Sequence, residues 1–80
     1  MSKPVHIGQL IKAELHRQGK TTIWLASQCG CTPMNIYKIY HRSWISTDML
    51  YQLSSVLNHN FFQDLSQDFI NHVETESINN

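Results

Sequence analysis

Two cysteines separated by a single residue are the most reactive side chains in this sequence of 80 residues. Cys29 and Cys31 have C-x-C spacing, whereas structural zinc sites commonly draw four ligands from C-x-x-C or H-x-x-x-H pairs. The five histidines are scattered without ligand spacing, so His16 and His41 could join the cysteines only by chance geometry. We therefore predict no metal and no cofactor, with Cys29 as a small core residue and Cys31 in a turn.

Catalytic signatures are also missing from the sequence. No Ser or Cys stands beside a His in a recognisable motif, and the three glycines form no phosphate-cradling loop. The carboxylates cluster towards the C-terminus. We predict that the protein is not an enzyme.

Charge is divided unevenly along a chain whose formal net charge is zero. Residues 1–45 contain all six Lys and Arg residues against one Glu, and residues 46–80 contain five acidic residues and no Lys or Arg. The two parts therefore carry +5 and −5. This asymmetry suggests a basic face offered to an anionic partner.

Length and hydrophobicity indicate one small globular domain. Hydrophobic residues make up 41% of the chain, with no apolar run long enough to span a membrane. The N-terminal "MSKPVHIG" has no apolar signal core. We expect a cytoplasmic protein without a membrane association, in which the cysteines are reduced.

Helical periodicity and capping residues predict five short helices and no strand. The first carries an apolar stripe and ends at Gly19. Thr21 can cap a second helix, "TIWLASQC", and Thr32 can cap a third that starts at Pro33. The stripe of the first helix consists of Ile7, Leu10, Ile11 and Leu15.

The second half of the chain continues the pattern. Either Ser46 or Thr47 can cap a fourth helix, and "FFQDLSQDFI" predicts a short fifth helix after a turn bracketed by Asn58 and Asn60. We predict an all-α orthogonal bundle over residues 1–69, followed by an acidic C-terminal tail, 70–80, that is frayed. Most Met, Phe and Trp side chains are expected in or against the core.

The break between the second and third helices is the most informative local feature. Gly30 stands where the second helix must stop, and we expect it to adopt positive φ there. Ala26 is small enough to let two steeply crossing helices approach, and Ile36 fills the angle from the third helix.

With Leu25, Cys29 and Ile39 around them, these residues resemble the helix-turn-helix of the lambda-repressor, Cro and XRE group of DNA-binding domains. The resemblance covers about residues 6–66. It includes the leucines of the fourth helix, from Leu50 to Leu57, and the closing phenylalanines Phe61 and Phe62. It implies a lambda-repressor-like fold with helices two and three as the helix-turn-helix.

The resemblance also implies a function and a set of contacts. The third helix would enter the major groove of double-stranded DNA, and a homodimer would bind a two-fold site. Asn35 would pair with adenine, Met34 would pack on a thymine methyl, and Lys38 would reach a guanine or a phosphate. The residues implied to contact DNA are Lys20, Thr22, Thr32, Pro33, Met34, Asn35, Tyr37, Lys38, His41 and Arg42.

Two departures keep a second hypothesis open. Pro33 and Met34 replace the Gln or Ser that often reads bases, and Ile23 and Trp24 replace polar residues of the second helix. The same fold could serve as a scaffold for protein–protein interaction, as an antitoxin-like protein or adaptor, with Ile23, Trp24 and Trp44 as an apolar patch. The alternative to a transcriptional regulator is therefore a protein-binding module.

Overall fold

The computed structural model describes residues 5–78 of the chain, and it describes their side chains except at positions 72 and 74–78. Five α-helices make up the secondary structure of this part. No strand occurs in this part. The prediction of an all-helical protein with five helices is confirmed. The helices are α1 (Ile7–Arg17), α2 (Thr22–Cys29), α3 (Pro33–Tyr40), α4 (Thr47–Leu57) and α5 (Phe61–Ile78).

Hydroxyl side chains begin the three central helices, as the sequence predicts. The Thr21 hydroxyl accepts a hydrogen bond from the Trp24 amide at 3.0 Å, and the Thr32 hydroxyl accepts one from Asn35 at 3.3 Å. Ser46, rather than Thr47, caps α4 through the amide of Met49. Each cap satisfies an amide that a helix N-terminus leaves unpaired.

Left-handed residues end α2 and α4. Gly30 has φ 68°, which confirms the predicted conformation, and Cys31 then donates its amide to the carbonyl of Ala26 at 3.0 Å. Asn58 ends α4 with φ 52° and is the one non-glycine residue with positive φ in residues 5–78. Asparagine tolerates this conformation better than most residues. Both turns are therefore encoded locally.

All five helices contribute to the hydrophobic core. Leu25, Ile36 and Phe61 have no exposed surface, and Ala26 is buried between α2 and its neighbours. The other fully or largely buried apolar side chains are Ile7, Ile11, Leu15, Ile39, Tyr40, Leu50, Leu53 and Leu57.

The start of α1 closes on the end of α3. The amide of Ile7 donates to the carbonyl of Ser43 at 3.0 Å, and that of Gly8 donates to Arg42 at 2.9 Å. A Cβ on Gly8 would lie 2.6 Å from the carbonyl carbon of Tyr40 and would overlap the carbonyl oxygen of Ile39. Only glycine therefore lets these two helix ends approach so closely.

A buried carboxylate joins α1 to the end of α4. Glu14 accepts hydrogen bonds from Arg17 Nε at 2.9 Å and from Gln18 Nε2 at 2.7 Å, and Gln18 Nε2 also donates to the carbonyl of Leu57 at 2.6 Å. His59 Nδ1 lies 3.6 Å from the Glu14 carboxylate, and His59 Nε2 lies 2.7 Å from Asp64. The hydrogen bonds from Arg17 and Gln18 lower the pKa of Glu14 to about 2, although burial acts in the opposite direction.

Two expectations about the fold are wrong. The fifth helix does not stop near Ile70 but extends to Ile78, because residues 61–78 contain no Gly or Pro that would end it. Two large apolar side chains expected in or against the core are instead exposed: Trp44 by 61% and Phe69 by 66%. Phe69 lies on the outer face of α5, and Trp44 lies in the α3–α4 connector. Residues 79–80, at the end of the predicted tail, lie outside the described residues.

Substitution of Gly8 by alanine tests the contact between α1 and α3. We expect Gly8→Ala to lower the free energy of unfolding by about 3 kcal/mol or more, because the new methyl group would push the two helix ends apart. Urea denaturation measures this change. Gln9→Ala, at an exposed position in the same turn, is the control; equal stability of the two variants would contradict the close approach.

Substitution of Gly30 tests the turn after α2. Nothing lies within 4 Å of a Cβ built on Gly30, so the cost is conformational rather than steric. We expect Gly30→Val to destabilise the fold by at least about 1–2 kcal/mol, because a β-branched residue resists positive φ. Gly30→Asn should cost less. Thermal melts that show the two variants to be equally stable would contradict a left-handed conformation at position 30.

The depressed pKa of Glu14 predicts a stability that depends on pH. The folded-state pKa of about 2 lies below the ordinary value of 4.5. The stabilisation is therefore complete above about pH 4.5 and is lost as the pH falls towards 2. Glu14→Gln should flatten the stability profile in this range, whereas Asp68→Asn is the control. A profile that Glu14→Gln leaves unchanged would contradict this role of Glu14.

Candidate nucleic-acid interface

Helix α3 presents one buried face and two exposed faces. Ile36, Ile39 and Tyr40 point into the core, which anchors the helix along its length. The positions between them are exposed. Met34, Tyr37 and His41 follow the spacing i, i+3, i+7 on one exposed face, and Asn35, Lys38 and Arg42 follow it on the other. Six of the ten predicted contact residues thus share the solvent-facing side of α3 and its C-terminal end.

A shallow groove brings three of these residues together. Its volume is about 190 Å³, and Asn35, Lys38 and Arg42 form one side of it. Cys31, Ile39 and Met49 complete the lining, so the groove lies between α3 and the first turn of α4. Two cationic side chains and one amide around an apolar floor can accept an anionic or hydrogen-bonding ligand.

The N-terminus of α3 is also exposed. Thr32 and Pro33 are exposed, and the Thr32 hydroxyl serves as the helix cap. Since Pro33 has no amide hydrogen, the first turn of α3 offers fewer free donors than an ordinary helix N-terminus. Base or phosphate contacts from this end would therefore depend on side chains rather than on backbone amides.

Thr22 is the one predicted contact residue that is half-buried. Its hydroxyl shares a hydrogen bond of 3.0 Å with the hydroxyl of Tyr40. This bond ties the first residue of α2 to the last residue of α3. Burial raises the pKa of Tyr40, although the hydrogen bond from Thr22 acts against it. At neutral pH the tyrosine therefore keeps its proton, and the Thr22 hydroxyl is partly committed to an internal partner.

The remaining cations surround this region at different distances. The ammonium group of Lys20 lies 4.2 Å from the centre of the Trp24 ring. This cation–π contact inside the molecule would compete with a contact to an anionic ligand. Lys12 of α1 lies 5.9 Å from the centre of the Tyr40 ring. The backbone of Arg42 is fixed by the amide of Gly8, while its side chain is exposed.

Sequence reasoning missed three members of this surface. Cys31 was expected simply in a turn and Met49 in the core, yet both line the groove beside Asn35. Cys31 precedes the Thr32 cap of α3, so helical spacing does not relate it to Asn35. The approach of Lys12 to Tyr40 depends on how α1 crosses α3, and no local pattern could have revealed it.

The cysteines lie close to the groove without forming a recognisable metal centre. Both are half-buried free thiols. Burial and the neighbouring Cys31 raise the pKa of the Cys29 thiol, which keeps it protonated at neutral pH. Within the part of the chain that the structure describes, no group of three or more His, Cys, Asp or Glu side chains could hold a metal ion.

Among the described residues, no helix combines the length and the apolar character needed to cross a bilayer. No family model matches the chain, and neither the curated proteins nor the solved structures contain a match.

Proposed function

We propose that this protein is a sequence-specific regulator of transcription that binds double-stranded DNA. In this proposal α2 and α3 form a helix-turn-helix of the lambda-repressor-like type, and α3 lies in the major groove. The protein acts in the cytoplasm as a homodimer and is not an enzyme. The observation that carries the proposal is the division of α3 into a fully anchored inner face and an exposed outer side with Asn35, Lys38 and Arg42.

The geometry of α2 and α3 supports the proposal. Gly30 turns the chain within a few residues, and the small side chain of Ala26 is buried at the crossing. The hydrogen bond between Thr22 and Tyr40 fixes the start of α2 against the end of α3. A helix used to read bases must be held rigidly, because hydrogen bonds to base edges tolerate little displacement.

The charge distribution supports the same function. Each Lys and Arg described by the structure belongs to residues 12–42, which form α1, α2, α3 and the residues after it. Lys38 and Arg42 border the groove beside α3 and would attract phosphate groups, whereas Arg17 is paired with Glu14. Zero net charge therefore does not argue against DNA binding.

A second function has a specific observation in its favour. Ile23 is exposed by 72% and Trp44 by 61%, and such side chains are typical of protein-binding surfaces. The scaffold hypothesis would use these residues rather than the side chains of the groove. Trp24 contributes less to such a patch than the sequence suggested, because it packs partly against the core.

Selection from random duplex DNA, performed at two salt concentrations, tests the proposal and distinguishes the two functions. A regulator should enrich a defined, two-fold sequence and should bind more weakly at the higher salt concentration. A folded protein that binds no duplex even at low salt would reject the proposal and favour the scaffold.

Asn35→Ala tests base reading. An amide that pairs with adenine N6 and N7 contributes discrimination, so the substitution should cost about 1–3 kcal/mol on the selected site and little on random DNA. Competition binding measures both affinities. Gln28→Ala, which removes an exposed amide from α2, is the control. A parallel loss on both DNAs would mean that Asn35 is not a base reader.

Lys38→Ala tests the contribution of charge. If Lys38 contacts a phosphate, its loss should weaken binding to all sequences about equally and reduce the slope of log K against log salt by about one unit per copy. Lys38→Arg should restore the slope. A loss confined to the selected site would instead assign Lys38 to a base.

A further inference from the structure

A second groove lies where α4 turns into α5, and none of its residues is assigned to a DNA contact. Its volume is about 370 Å³, within the range of about 300–1,000 Å³ that is usual for small-molecule sites. It shares no lining residue with the groove beside α3. The residues that line it are Tyr51, Ser54, Ser55, Asn58, His59, Asn60 and Phe62.

Hydroxyl and amide groups dominate the polar part of this lining. Two serines and two asparagines each carry groups that can donate and accept hydrogen bonds. The Ser55 hydroxyl already donates to the carbonyl of Tyr51 at 3.0 Å, so its lone pairs remain for a ligand. Oδ1 of Asn60 accepts from the Gln63 amide at 3.1 Å, so its amino group remains. The groove therefore suits a ligand whose own groups both donate and accept.

The hydroxyl of Ser54 gives a more specific indication. Its oxygen is buried, and it is the one such side-chain oxygen or nitrogen in the described part of the chain that has no hydrogen-bond partner. A buried polar group without a partner destabilises a protein. Rotation about the Cα–Cβ bond, from one staggered position to another, would bring this hydroxyl towards the groove that Ser54 lines. A ligand hydroxyl in the groove would supply the missing partner.

The lining offers no free charge to a ligand. Nε2 of His59 lies 2.7 Å from the carboxylate of Asp64, and Nδ1 lies 3.6 Å from that of Glu14. Both ring nitrogens are therefore engaged with protein groups. No Lys, Arg, Asp or Glu lines the groove. An ionised ligand would lose hydration here without gaining a counter-ion, so the groove favours a neutral one.

Two aromatic rings complete the groove. Tyr51 of α4 is exposed by 69%, and Phe62 of α5 is half-buried. An aromatic face packs well against C–H groups, and a tyrosine combines this apolar surface with a hydroxyl. Sugar rings have both properties that the groove requires, since they carry an apolar C–H face and several hydroxyls. An aliphatic ligand would instead leave the serine and asparagine groups without partners.

The turn that carries the two asparagines is held in place before any ligand arrives. Asn58 has a left-handed conformation, and the amide of His59 donates to the carbonyl of Ser54 at 3.0 Å. The ring centres of His59 and Phe61 lie 4.6 Å apart, and Phe61 is buried in the core. A site fixed in this way loses little conformational freedom when it binds.

We propose that this groove is a binding site for a neutral monosaccharide. The sugar ring lies against Tyr51, and its hydroxyls pair with Ser54, Asn58 and Asn60. A ligand of about twelve non-hydrogen atoms that binds with ordinary efficiency has a dissociation constant of about 1–5 mM. Sugar phosphates bind more weakly, because the groove has no cation to receive them. The site is independent of DNA binding, so a protein that binds no duplex would leave this inference unaffected.

Titration of the full chain, followed by amide chemical shifts, tests the site. The probes are D-glucose, D-galactose and N-acetyl-D-glucosamine, each up to about 50 mM, roughly ten times the weakest expected dissociation constant. At least one should cause saturable shifts in the groove. Glucose 6-phosphate represents charged sugars, and nicotinamide represents planar aromatic ligands; both should bind at least about tenfold more weakly. The amides expected to shift are those of Tyr51, Ser54, Ser55, Asn58, Asn60 and Phe62.

Variants of two lining residues separate binding from folding. Ser54→Ala should raise the dissociation constant about tenfold without loss of thermal stability, because the hydroxyl has no partner among the described residues. Ser27→Ala, at an exposed serine of α2, is the matched control and should bind like the wild type. Tyr51→Ala should weaken binding at least about tenfold, whereas Tyr51→Phe keeps the ring and should stay within about threefold of the wild type.

Four results would overturn the inference. The first is that no neutral sugar causes saturable shifts, and the second is that the shifts lie outside the groove. The third is equal or stronger binding of glucose 6-phosphate or nicotinamide, which would assign the groove to another class of ligand. The fourth is a folded Ser54→Ala or Tyr51→Ala variant that binds the sugar as tightly as the wild type does.

Discussion

The contact between the start of α1 and the end of α3 is the constraint on which the remaining geometry depends. The amides of Ile7 and Gly8, which the N-terminus of α1 leaves without a partner inside the helix, donate to the carbonyls of Ser43 and Arg42 just beyond α3. The positive end of one helix also meets the negative end of another. Because Gly8 has no side chain, the backbones touch directly. The position of α3, and of every side chain on its outer face, follows from this contact.

Two further links convert this contact into a rigid frame. The hydrogen bond between the hydroxyls of Thr22 and Tyr40 joins the start of α2 to the end of α3. The turn at Gly30 follows the end of α2 and leads into α3. Glu14 holds α1 against the chain near Leu57 through Gln18. None of these polar groups belongs to the exposed side of α3. The frame therefore does not depend on the exposed side of α3, whose sequence could change without loss of the fold.

The sequence predicts the local features well because they depend on neighbouring residues. The caps at Thr21 and Thr32 and the left-handed Gly30 each need only a few positions of context. Exposure of Phe69 could not be predicted, because burial depends on what lies opposite a helix. The prediction of a short fifth helix assumed that an acidic segment frays, but without Gly or Pro the helix continues. Within the candidate site, the resemblance predicts that Asn35 and Lys38 face outward from α3, and both are exposed, whereas Lys12 reaches Tyr40 only through the crossing of α1 and α3.

The contact between α1 and α3 also has a consequence for the order of folding. Ile7 and Ser43 are separated in sequence by the whole of α2 and α3. Closing so long a loop costs more chain entropy than forming the adjacent pair α2–α3 around Gly30. We therefore expect α2 and α3 to associate first in the folding reaction, with α1 docking afterwards onto a preformed surface. The docking of α1 would then be the rate-limiting step of folding.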